Sequence, residues 1–172
     1  MRSAVWLGPE ARAVVHGLKY GGLSHLGMFA AELIARAVRQ PPEGLLLPVP
    51  LTAARRRHRG YNQALVIARA LGTRWSLPVV EGVLLRPGTA TSQTQVRAGS
   101  RGANVAGAFL ATAPPQRPGA GAGSPPAVII VDDVFTTGAT VQAAATALVE
   151  AGWRNLGAVT WARAMPIEFR IL

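Results

Sequence analysis

Apolar and polar positions follow two alternating periods along this chain. Leu26, Phe29, Ala30, Leu33, Ile34 and Ala37 recur three and four residues apart, the spacing of one buried helical face. Ser24 stands ahead of them as a capping residue and Pro41-Pro42 ends the pattern, which predicts a helix between these marks. Residues 45–49 make a short apolar run with strand character, and Ala64, Ile67, Ala68 and Leu71 form a second helical stripe over residues 62–71. Residues 79–85 read as a further strand. The clearest strand is Ala127-Val128-Ile129-Ile130-Val131, apolar at every position as parallel strands covered on both faces are. After a polar turn, Val141, Ala144, Ala145, Leu148 and Val149 form a third helical stripe, ended by Gly152, and residues 156–161 make a last strand. This rhythm predicts one α/β domain with a largely parallel sheet flanked by helices.

Two stretches interrupt the rhythm. Residues 86–105 are polar and carry Gln93, Gln95, Arg97, Arg101 and Asn104, the composition of a loop over a site. Residues 113–127 hold eight Gly or Pro in fifteen and no bulky apolar side chain. They bury too little surface to offset the entropy of ordering, so we expect a mobile loop inserted within the domain.

Composition narrows the picture. With 172 residues, 49% of them hydrophobic, the chain can fill one core without covalent staples, and global disorder is excluded. It has no cysteine, which removes disulfides, thiolate zinc sites and cysteine nucleophiles. No apolar run approaches the roughly 20 residues of a membrane span. The first ten residues lack an apolar stretch followed by a small-residue cleavage site, so the expectation is a cytoplasmic protein with no membrane span. His16, His25 and His58 have no metal-ligand spacing, and no G-x-S-x-G motif supports a serine nucleophile.

The net charge of +10 comes mostly from a shortage of acids. Between residues 44 and 131 the sole acid is Glu81, against ten arginines. Gathered on one face, these arginines would attract a polyanion, either a phosphorylated metabolite or a nucleic acid. The run Arg55-Arg56-Arg57-His58-Arg59 reads as a solvated charge cluster or as part of such a site.

The chemistry concentrates after the best strand. Asp132 and Asp133 are the only aspartates in the chain, and they fall at a strand's carboxyl end, where α/β sheets bind ligands. The following Val134-Phe135-Thr136-Thr137-Gly138-Ala139-Thr140 offers hydroxyls, a glycine and the first N–H groups of a helix, which together make an anion cradle. No lysine in this turn makes it a Walker A loop. Two carboxylates beside the cradle repel a bare phosphate, but they accept hydrogen bonds from sugar hydroxyls while the cradle holds a phosphate. The expected ligand is a phosphorylated sugar.

The thirteen residues from Val128 to Thr140 resemble the phosphoribosyl-diphosphate binding motif of type I phosphoribosyltransferases. More narrowly, the chain resembles the ComF/GntX family of competence-associated phosphoribosyltransferase-like proteins. The further matching segments are Leu18-Lys19-Tyr20-Gly21-Gly22, Pro48-Val49-Pro50-Leu51, Arg57-His58-Arg59-Gly60-Tyr61-Asn62-Gln63, Gln93, Arg101 with Asn104, Ala108-Phe109 and Ala162-Arg163. The resemblance implies a type I phosphoribosyltransferase-like fold with a small hood or flexible loop over residues 86–105. It implies that Asp132 and Asp133, the catalytic pair, bind the ribose hydroxyls, and that Thr136, Thr137, Gly138, Ala139 and Thr140 bind the 5′-phosphate. Arg57, Arg59 and Asn62 become candidates for the diphosphate, with Gln93, Arg97 and Arg101 closing over the ligand from the hood. Mg²⁺ is then held mainly through the substrate, by diphosphate and ribose oxygens.

The implied function is binding of 5-phosphoribosyl diphosphate and transfer of phosphoribose to an unidentified acceptor, in association with competence and DNA uptake. The alternative is a non-catalytic basic module that binds single-stranded DNA or a competence protein. The sequence leaves the oligomeric state open. Three departures from the resemblance matter. Thr136 stands where purine-salvage members place a carboxylate, which disfavours a hypoxanthine or guanine acceptor. The cysteine-rich zinc module of many ComF-like chains has no counterpart in a chain without cysteine. Ala90, Val96 and Ser100 differ from the hood pattern.

Overall fold

Val128, Ile129, Ile130 and Val131 are all buried because their strand runs inside a sheet with helices over both faces. The computed structural model describes residues 1–88, 108–114 and 126–165. In chain order the elements are β1 (Arg2–Trp6), α1 (Pro9–Tyr20), α2 (Leu26–Ala37), β2 (Leu45–Pro48), α3 (Ala53–Arg59), α4 (Gln63–Trp75), β3 (Leu84–Leu85), β4 (Leu110–Ala111), β5 (Val128–Phe135), α5 (Ala139–Glu150) and β6 (Leu156–Arg163).

Four strands pair in the order β1-β6-β5-β2, all parallel. The twofold alternation of β5 feeds two cores. Ile129 and Val131 pack with Ile34 of α2 and with Ile67, Leu71 and Trp75 of α4, while Val128 and Ile130 pack with Ala144 and Leu148 of α5 and with Trp153. The step from β5 to β6 runs toward β1, opposite to the step from β1 to β2. Right-handed crossovers therefore place α5 on the face away from α2, and α4 packs with α2 in the first of these cores. The α/β class with a parallel sheet flanked by helices is as the sequence predicts.

The local differences have physical reasons. Ser24 does not cap α2: the cap position is His25, without a side-chain bond, and Ser24 offers its carbonyl to the Gly27 N–H. The buried stripe of α2 is Gly27, Ala30, Ala31 and Ile34, and Phe29 faces solvent. Small residues let α4 come close, since a Cβ on Gly27 would sit 2.5 Å from Val66. The helix expected over 62–71 continues to Trp75. Residues 79–85 are not one strand. Val79 bridges Leu46 of β2, and only Leu84–Leu85 extend again, pairing antiparallel with β4 in a separate two-stranded sheet. Sequence patterning did not foresee β1 or α1. Most of the two expected loops, over 86–105 and 113–127, lies outside the described residues.

Candidate functional site

β5 runs through both aspartates to Phe135, so the acids belong to the strand rather than to the loop beyond it. Alternation puts Asp133 on the same face as Ile129 and Val131, beneath α1. There the Lys19 ammonium lies 2.8 Å from Asp133 Oδ2. Asp133 is buried at 8% exposure. Asp132 accepts the Asp133 backbone N–H through Oδ1 at 2.9 Å. Burial first, and then the negative charge of Asp133, push the Asp132 carboxyl far above the ordinary carboxylate range, with Lys19 opposing weakly. One carboxylate thus has a cation for a partner, and its neighbour favours the neutral form until hydroxyl donors or positive charge arrive.

Lys19 is held by elements distant in sequence. The Leu18 carbonyl, at the end of α1, accepts the Tyr61 hydroxyl at 2.6 Å and the Gln63 side-chain amide at 3.2 Å. Tyr61 lies in the link between α3 and α4, and Gln63 is buried at 2% exposure. Asn62 caps α4, its Oδ1 accepting the Ala64 N–H, and its Nδ2 donates to the Val49 carbonyl just beyond β2. The loop after β2, the start of α4 and the end of α1 are thereby fixed to one another.

At the end of β5 the chain turns through Thr136 and Thr137 to Gly138, whose φ of 84° is left-handed. A Cβ there would also lie 2.6 Å from the Phe135 ring, so the turn requires glycine twice over. Gly138 has no side chain with which to cap α5; the Thr137 hydroxyl reaches the Ala139 N–H at 3.4 Å. The first turn of α5 therefore presents N–H groups and the positive end of the helix dipole toward solvent, beside exposed threonines.

These parts surround a cavity of about 460 Å³ at the carboxyl ends of the parallel strands. Its lining includes Asp132, Asp133, Thr136 and Thr140 on one side, and Arg12, Lys19, Arg55, Arg59 and Arg86 around them. Arg59 donates to Gln63 Oε1 at 3.2 Å and stands over the Tyr20 ring. Arg86 stacks on Phe109. Partial burial and the neighbouring Arg55 charge lower its pKa, and Asp132 opposes this. Five cations facing two carboxylates leave an excess of positive charge for an anionic ligand.

Of the residues singled out in the sequence, Asp132, Asp133, Thr136, Thr140, Arg59 and Asn62 line this cavity. Thr137, Gly138 and Ala139 shape the adjoining turn. Arg57 does not line the cavity; it is exposed on α3, where a helix of period 3.6 turns it away from the face shared by Arg55 and Arg59. Gln93, Arg97 and Arg101 lie outside the described residues. Sequence reasoning read Arg55 only as part of a basic run that was either solvated or phosphate-binding, and assigned no role in the site to Lys19, Arg12 or Arg86. A signal for α1 was present in Pro9 and Glu10 at its start and in Val14, Val15 and Leu18 at helical spacing. No protein-family model matches the chain, and no curated protein matches its sequence. The fold and site together define an α/β protein with a cationic cavity around an acid pair, at the carboxyl edge of a parallel sheet.

Proposed function

We propose that this cavity binds 5-phosphoribosyl diphosphate, and that the protein is a phosphoribosyltransferase-like member of the ComF/GntX type which transfers phosphoribose to an acceptor. The observation that carries this reading is the convergence, in one cavity, of the Asp132–Asp133 pair, the Thr136–Thr140 turn and the wall formed by Arg12, Arg55, Arg59 and Arg86. The acid pair suits ribose hydroxyls, the turn and the α5 terminus suit the 5′-phosphate, and the arginines suit a diphosphate. In such a transfer the bond from the anomeric carbon to the diphosphate oxygen breaks, with the electron pair leaving on the diphosphate, and the acceptor's lone pair forms the new bond. Positive charge placed on the departing diphosphate stabilises the oxocarbenium-like transition state.

The donor set fits a magnesium ion that arrives with the ligand. Of the two carboxylates in the cavity, Asp133 already faces Lys19, and Asp132 is the one that could face such an ion. When bound, the ion would supply further neutralisation of the leaving group. Cytoplasmic location and a role in competence belong to this proposal; among the described residues no helix is long and apolar enough to cross a membrane.

A second reading rests on a separate observation. Arg56, Arg57 and His58 are exposed on α3 and are not part of the cavity lining, so they form a basic surface suited to single-stranded DNA. Calorimetric titration with 5-phosphoribosyl diphosphate, with and without Mg²⁺ and against ribose 5-phosphate, tests the first reading. Magnesium-dependent binding that favours the diphosphate is expected, together with its loss on changing Asp132→Asn and Asp133→Asn. Absence of heat and of thermal stabilisation by either ligand overturns it.

A further inference from the structure

Among the described residues, the parallel sheet covers one of its two edges and leaves the other open. At the β2 edge, the Leu46 N–H donates to the Pro78 carbonyl and the Val80 N–H donates to the Leu46 carbonyl, so the neighbouring segment occupies that side. β1, at the opposite edge, pairs with β6 alone. The Leu7 N–H donates to the Arg163 carbonyl of β6, and the backbone groups of successive strand residues point to alternate sides. Ser3, Val5 and Leu7 therefore face β6, while Arg2, Ala4 and Trp6 turn their N–H and C=O groups outward. Of these outward groups, only the Trp6 carbonyl has a backbone partner among the described residues, the Gly8 N–H. Such a row is a template for another strand.

Charge selects the strand that fits. A groove of about 280 Å³ follows β1, and its lining holds Arg2 and Arg163 but no acid. Trp6, Arg163 and Phe135 are in register across β1, β6 and β5, so their side chains form one row on a single face of the sheet. The Arg163 guanidinium lies 5.8 Å from the Trp6 ring and 5.5 Å from the Phe135 ring. The two rings restrain it, and no ion pair among the described residues engages either Arg163 or Arg2. Two copies paired about Ala4 would set Arg2 of each beside Trp6 and Arg163 of the other, on chains that each carry +10. A DNA backbone offers acceptors to the arginines but no donors to the outward carbonyls. An extended peptide offers both, and acidic residues at alternate positions place every carboxylate on one face. We propose that the β1 edge docks an acidic, extended segment of a partner protein, added to the sheet as a further strand with a carboxylate on Arg163.

This groove shares no lining residue with the acid-pair cavity, so the proposal stands or falls apart from the function proposed above. The test is fluorescence anisotropy of the full-length protein with a labelled peptide that alternates glutamate and valine. Controls are the same peptide with lysine for glutamate, and the glutamate peptide with its amide nitrogens methylated. Only the unmethylated glutamate peptide is expected to bind, and hydrogen exchange of the Ala4 and Trp6 amides should slow in its presence. Ala4→Pro removes an outward N–H and spares the β6 ladder, as proline does on an edge strand. This variant, and Arg2→Gln combined with Arg163→Gln, should each weaken binding by about tenfold or more, as backbone or charge-assisted hydrogen bonds are lost. If Ala4→Pro fails to fold, the methylated peptide decides in its place: binding equal to that of its parent shows that no strand is added. Unchanged binding by a folded Ala4→Pro variant, or no binding of the glutamate peptide, overturns the proposal. So do two other outcomes: self-association in sedimentation that Ala4→Pro abolishes gives the edge to a second copy, and a single-stranded oligonucleotide whose binding needs Arg2 and Arg163 while the peptide does not bind gives it to nucleic acid.

Discussion

Asp132 shows how a site residue can weaken the fold that carries it. Its carboxyl is raised from 3.8 to about 8, by burial first and by the Asp133 charge second. Between those values the folded protein retains a proton that the unfolded chain has released. Stability is therefore fully present at low pH and declines as pH rises from about 4 toward about 8. Chemical denaturation across that window should show a falling midpoint, and Asp132→Asn should flatten most of the decline while raising stability at pH 8. An equally steep decline in the variant would show that other groups set the pH dependence. At this scale the acid pair and the threonine turn were legible, because a strand, two acids and a glycine turn occupy adjacent positions. Lys19 was not, since the bonds that fix its end of α1 come from Tyr61 and Gln63, more than forty residues along the chain.

At the scale of elements, the link between α3 and α4 organises the site more than either helix does. Asn62 joins two functions in one side chain, capping α4 and holding the Val49 carbonyl at the end of β2. With its amide spent on these bonds, its place beside the diphosphate candidates Arg55 and Arg59 is that of a brace. Removing a cap of this kind costs about 1 kcal/mol, and breaking the bond to Val49 adds about another 1 kcal/mol. Asn62→Ala should lower stability by that combined amount in denaturant melts and weaken ligand binding; Asn62→Asp should recover the cap but not the bond to Val49. A variant as stable as wild type would show that the two bonds contribute nothing. Elements with a strong pattern, the helical stripes of α4 and α5 and the unbroken apolar run of β5, were visible in the sequence. β1 was hidden because an edge strand with partly exposed residues carries no continuous apolar run. Residues 79–85 misled because their apolar content serves three small tasks, a bridge to β2, the second core and β3, instead of one strand.

The whole molecule separates its positive charge by direction. On α3, Arg55 and Arg59 line the cavity, Arg55 from its exposed margin, whereas Arg56 and Arg57 are exposed outside the lining. A small anionic ligand held by the acid pair and the threonine turn senses the lining pair, through direct bonds in a confined space. An extended polyanion senses the outer pair, through release of counterions, and its affinity falls as salt rises. The two readings of the protein therefore separate on one seven-residue helix. Arg55→Gln with Arg59→Gln should weaken 5-phosphoribosyl diphosphate binding by about tenfold or more, as two charge-assisted bonds disappear, and change the salt slope for single-stranded DNA little. Arg56→Gln with Arg57→Gln should leave the small ligand's affinity within about twofold, yet reduce the DNA salt slope by about 1.4, at roughly 0.7 for each phosphate of a single strand that an arginine no longer neutralises. Calorimetry for the small ligand and fluorescence anisotropy at several salt concentrations for the oligonucleotide measure both. Equal weakening by both pairs of substitutions, in both assays, would mean that α3 acts as one undivided field, and the separation of lining from outer charge would fail.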